Sequence, residues 1–280
     1  MAVIETQKWL HTFNERCKET SIKEINNNHI DLLCKPLENV FEKLPPQAIQ
    51  YELLQYGLFD PKDWYRIEYV MEELEKQKVW KRIEHEFLKL KKRWKGPDIP
   101  IYIFPIKKGK RRSEKEQFRK NGVAYKNALF LFVSTELHKE ELKAMLAHEY
   151  NHVCRINLID IPPKITPLKE SLVVEGLGEY AVNELYGEKW LAPWVNLYSL
   201  DTLQKIWKEH FINSLNLTGI DAHQKFLYGQ KRSPFTKWIG YAIGYHIVHS
   251  YVEKNGPFTS NELYQKSADT LIKGSAFILE

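Results

Sequence analysis

Cysteine is scarce in this chain and nowhere closely spaced. Cys17, Cys34 and Cys154 are an odd number with no CxxC spacing, which argues against a disulfide scaffold and against a zinc site built from cysteines alone. Long apolar runs are missing too, since no stretch reaches the roughly 18 apolar residues that a bilayer-spanning helix needs. The first residues carry Glu5, Lys8, Glu15 and Arg16, where a secretory signal would need an unbroken apolar region. The expectation is a cytoplasmic chain made without a signal, its thiols free in a reducing compartment and no membrane among its partners. An excess of one charge is also lacking, the balance being a modest +5. Its basic residues gather at 89–95 and 107–112, which read as the solvated end of a helix and as a polar loop. A nucleic-acid partner is therefore not expected. Neither an internal repeat nor a low-complexity linker is present.

What is present is enough to build a core: 280 residues, 43% apolar and 13% aromatic. Before residue 97 the pattern is helical. Ile67, Val70, Met71 and Leu74, then Val79, Ile83, Phe87 and Leu90, recur at near-helical spacing between charges and predict one long or once-broken amphipathic helix. Gly96-Pro97 stops it, and shorter helices before it are set apart by Pro36 and by Pro45-Pro46. Residues 99–106 (IPIYIFPI) and 128–133 (ALFLFV) have the β-branched and aromatic composition of strands. The polar segment between them, residues 107–122, reads as an exposed loop. Helices return from Glu136, Asn255-Gly256-Pro257 ends one of them, and Thr259 with Glu262 offers a capping box for the last. The fold class expected is α+β and predominantly helical. Residues 1–97 read as a helical N-terminal region, and residues 98–280 as the domain that carries the chemistry.

That chemistry starts at His148-Glu149-Tyr150-Asn151-His152, an HExxH motif inside residues 136–156, where Leu142, Met145, Leu146 and Val153 mark one apolar helix face. Residues i and i+4 of a helix lie one above the other, so both imidazoles can reach one ion, with Glu149 as general base. A catalytic zinc needs three protein ligands and an open position for water. Glu175-Gly176-Leu177-Gly178-Glu179 in the next helical segment, residues 169–186, supplies the third. Gly176 and Gly178 each weaken a helix by about 1 kcal/mol relative to alanine, which suggests a close approach of backbone or metal. Glu175 is the first choice as ligand, with Glu179, one turn on, as the carboxylate that orients a zinc-bound histidine. The two glutamates in exchanged roles are the alternative. Cys154 lies about 200° around the helix from His152 and is assigned to packing.

Hydrolysis of a peptide through a zinc-activated water also needs a donor for the tetrahedral oxyanion. WIGYAIGYHIV, residues 238–248, offers Tyr241 first and His246 second, with Tyr245 beside them. The other histidines show no spacing that completes a site. An extended substrate commonly adds to a sheet edge, and residues 122–133 read as that edge.

HEYNHVCR, SLVVEGLGEYAV and WIGYAIGYHIV together resemble the YjaZ-like family of bacterial predicted zinc-dependent proteases, within the gluzincin group of HExxH metallopeptidases. The resemblance spans roughly residues 122–252. It implies a zincin-like domain with a small β-sheet beside the HExxH helix and a helical C-terminal part. It also implies zinc on His148, His152 and Glu175, Glu149 as base, and a functional place for Tyr241. The first reading of the activity is a zinc peptidase acting on peptides or unfolded proteins. The competing reading is a zinc-binding regulatory or chaperone-like protein with little turnover, against which the intact Glu149 speaks, since a structural zinc site needs no base.

Overall fold

The computed structural model describes residues 2–109, 119–229, 237–258 and 261–277. Helices dominate, and the strands form one mixed three-stranded sheet. Two compact units emerge: residues 1–89 with 98–149, and residues 90–97 with 150–280.

In the first unit, α1 (Thr6–Glu19), α2 (Ile25–His29, continued by π and 3₁₀ turns to Leu37) and α3 (Pro46–Tyr56) bury Leu10, Phe13, Leu33, Ile49 and Leu53. The predicted amphipathic helix is broken once, into α4 (Ile67–Lys76) and α5 (Val79–Trp94). Lys78, at φ 55°, makes the break, because a left-handed residue cannot continue a right-handed helix. Met71, Leu74, Ile83 and Phe87 keep the apolar stripe on either side of it.

Strand β1 (Ile101–Pro105) runs parallel to β3 (Leu129–Val133), and β2 (Lys120–Ala124) pairs antiparallel with β3 on its other side. The order is thus β1-β3-β2. Every residue of β1 and β3 is buried, whereas those of β2 are half-buried or exposed. The expected edge at residues 122–133 therefore divides: β2 forms the edge and β3 is the centre. Lys120 to Gly122, read from sequence as loop, are strand, because pairing with β3 holds them extended despite their polar composition. Packing also joins the sheet to the N-terminal helices, so the strands share a unit with residues that the sequence pattern sets apart from them.

In the second unit, α6 (Lys139–Ile159, of which residues 150–159 fall here) is followed by α7 (Leu168–Tyr186), α8 (Leu200–Ile206), α9 (Ile220–Tyr228), α10 (Ile239–Asn255), α11 (Glu262–Gln265) and α12 (Ala268–Gly274). The pair α7 and α10 forms its centre. A Cβ on Gly176 would run into the Gly244 carbonyl, and one on Gly244 into the Leu172 carbonyl, so the two backbones meet at a distance that only glycine permits. Thr259 of the expected capping box lies outside the described residues. Among those described, no helix is long and apolar enough to cross a membrane.

Candidate metal centre

Helix α6 forms because Leu142, Ala144, Met145, Leu146, Tyr150 and Val153 supply a buried stripe, while Glu140 and Glu141 in its first turn favour the positive end of the helix dipole. It runs without a break from Lys139 to Ile159, so His148 and His152 are one turn apart on one face. His148 and Glu149 are half-buried, and His152 is buried. Gly122 of β2 lies against Glu149. A Cβ there would fall 2.5 Å from the Glu149 Cδ and 2.7 Å from its Oε1.

Glu175, on α7, points to the same place. His152 Nε2 and Glu175 Oε2 are 3.4 Å apart, and His148, His152 and Glu175 each offer a ligand atom with all three within 4.8 Å of one another. Two ligands about 2.0–2.2 Å from a tetrahedral zinc are separated by about 3.3–3.5 Å. The His152–Glu175 spacing therefore suits shared coordination and is long for a good hydrogen bond. Two imidazoles and a carboxylate also match the chemistry of a catalytic zinc, so the residues present fit that ion.

Tyr241, in the first turn of α10, comes to Glu175 as a result of the Gly176–Gly244 crossing. Its hydroxyl is within hydrogen-bonding reach of the Glu175 carboxylate and 3.2 Å from the Tyr228 hydroxyl. Burial, then the Glu175 charge, push its phenol well above the ordinary range, so it stays protonated and able to donate. Neither His246 nor Tyr245 is directed to this point by its recorded bonds. His246 Nε2 lies 3.2 Å from the Val195 carbonyl, and burial lowers its pKa. Tyr245 accepts from the Asn183 amide at 3.1 Å, and burial raises its phenol. Glu179 is buried and accepts the Ala192 backbone N–H. Cys154 packs against Gly96, and burial pushes its thiol up to about 12.

Sequence reasoning passed over two features, and left His223 among the histidines that complete no site. Arg155, 1% exposed, forms a two-pronged ion pair with Glu170 at 2.6 and 3.0 Å and donates to the carbonyls of Tyr264 and Lys266. This ties the helix of His152 to that of Glu175. His223, also sealed, lies 2.8 Å from both the Ser171 hydroxyl and the Leu217 carbonyl, a satisfied core histidine. Around Tyr241 stand Trp194, Tyr228 and Trp238, with ring centres 5.1–5.5 Å from its own. The first had no signal in its spacing, because the partners of Arg155 lie 15, 109 and 111 residues along the chain. The ring group had none, because its members are scattered over 48 residues of chain, from Trp194 to Tyr241.

Residues 79–273 match the family described as predicted Zn-dependent protease (DUF2268), and the chain belongs to it. Among its relatives is the uncharacterized protein YjaZ of Bacillus subtilis (strain 168), 30% identical over 264 residues, which cover 94% of this chain and 95% of that one. A second, the uncharacterized protein YjfC of the same organism, is 29% identical over 140 residues, 47% of this chain and 46% of that one. No solved structure matches.

Proposed function

We propose that the protein is a zinc metallopeptidase of the gluzincin type, with a zincin-like catalytic domain, that hydrolyses peptide bonds in peptides or unfolded proteins. The observation that carries this reading is the convergence of His148, His152 and Glu175 beside Glu149, the one acidic group between the two histidines in the sequence. Family membership supports it.

His148, His152 and Glu175 would hold zinc. Bound there, the ion supplies Lewis acidity toward a water and toward the scissile carbonyl. Glu149 accepts the proton of the attacking water and returns it to the leaving amine, a role its half-buried position beside Gly122 permits. Tyr241, kept protonated, donates to the oxyanion that develops on the carbonyl oxygen. Glu179 helps to fix this end of α7 through the Ala192 N–H, and orienting a histidine remains its proposed second task. For His246 the bond to Val195 favours positioning of the segment beside α10 over contact with substrate. A cytoplasmic setting fits the three buried free thiols.

The decisive test is Glu149→Gln, assayed for zinc by elemental analysis and for cleavage of an unstructured protein. Metal content should stay at the parent level while cleavage is abolished. Activity equal to that of the parent would remove Glu149 from the mechanism.

A further inference from the structure

The rings around Tyr241 are not sealed as core aromatics are. Elsewhere in the same unit Trp94 and Trp207 are 1% and 0% exposed, whereas Tyr228 is 46% exposed and Trp194 and Trp238 are half-buried. Aromatic surface left open beside a polar site is a common feature of ligand-binding clefts. Its geometry is also held firmly. Trp238 stands edge-on to Tyr241 at 85° and to Tyr228 at 70°, while Trp194 and Tyr228 tilt against Tyr241 at 54° and 43°. The Trp238 N–H donates to the Tyr228 carbonyl at 3.0 Å. A Cβ on Gly240 would lie 2.6 Å from the Phe226 carbonyl, so the start of α10 is pressed onto the end of α9. Trp238 adopts φ 62°, a left-handed conformation that is costly for a bulky residue and that persists where its surroundings impose it.

We propose that Trp194, Tyr228, Trp238 and Tyr241 form a shelf that receives one bulky apolar or aromatic side chain of the substrate, next to the bond held at Glu175. The inference rests on the peptidase reading and adds a substrate class to it. Tyr241 is the link, since it touches the ring group on one side and Glu175 on the other. An uncharged side chain is favoured over a cationic one because, apart from the Glu175 carboxylate assigned to the metal, the charges next to the rings in sequence, Lys225 one turn before Tyr228 and Lys237 beside Trp238, are basic. A carboxylate would lose its hydration against the rings, which offer it edges and faces but few donors.

The test uses the full-length Glu149→Gln protein loaded with zinc, and calorimetric titration with capped heptapeptides that differ at one residue: Phe, Leu, Ala, Lys or Glu. The Phe or Leu peptide should bind about 10-fold or more tightly than the Ala peptide, and more tightly than the charged ones. Adding Trp194→Ala, or Tyr228→Ala at the exposed rim where a folding loss is least expected, should bring the Phe-to-Ala ratio toward one. A preference for Lys, a ratio unchanged in both variants, or no binding of any peptide would overturn the shelf. Incubating the same peptides with the unsubstituted protein separates the two readings. Selective binding without cleavage would sink the peptidase and keep the shelf, whereas cleavage indifferent to the side chain would do the reverse.

Discussion

Gly122 of β2 lies directly against the Glu149 side chain, close enough that a methyl group on it would overlap the Glu149 Cγ and Cδ. The edge strand thus sets the position of the proposed base. Gly122→Ala should displace Glu149 by a few tenths of an ångström or more and reduce kcat by about 10²-fold. Metal content should be unaltered, because the three atoms nearest that methyl all belong to Glu149. Parent-level turnover in steady-state kinetics would show that Glu149 has slack there.

The two glutamates of α7 should separate cleanly on substitution. Glu175→Ala removes one of three converging ligand atoms, so the purified protein should lose its zinc. Glu179→Ala leaves that group intact and should weaken zinc binding by about 10 to 100-fold. Competition against a chelating dye reads both. Zinc retained in the first variant and lost in the second would exchange their roles.

Arg155 carries a fold-level prediction. Its guanidinium satisfies Glu170 and two backbone carbonyls while almost wholly buried. Arg155→Ala leaves a buried carboxylate without its counter-charge and should cost about 3–5 kcal/mol of stability. Denaturant unfolding measures it, and a loss under about 1 kcal/mol would mean that water replaces the guanidinium easily.

Acid sensitivity should trace in part to His29. It is fully buried beside Phe13 and Phe59 with Nδ1 3.0 Å from the Gln50 amide, and burial lowers its pKa from 6.5 to about 4. The unfolded chain protonates at the higher value, so it binds more protons than the native state between the two. The contribution is full above about pH 6.5 and is lost as pH falls toward 4, about 3 kcal/mol in all. Urea unfolding of the parent and of His29→Gln at pH 7 and pH 4.5 should show the smaller pH loss in the variant. Equal losses would place the acid sensitivity elsewhere.

The sequence by itself determined whatever depends on near neighbours in the chain. Four-residue spacing puts His148 and His152 on one face of α6 wherever that helix packs, and the apolar stripe before residue 97 announces α4 and α5, with Gly96-Pro97 as their stop. Only the tertiary structure decided the relationships between distant segments. The meeting of Gly176 with Gly244 brings Tyr241, and not His246, to Glu175. Pairing with β3 turns the polar Lys120–Ala124 into the edge that places Gly122 against Glu149, and packing within the other unit gathers the rings of Trp194, Tyr228, Trp238 and Tyr241. Periodicity records which face of an element is apolar, but it carries no information about which other face that one will meet.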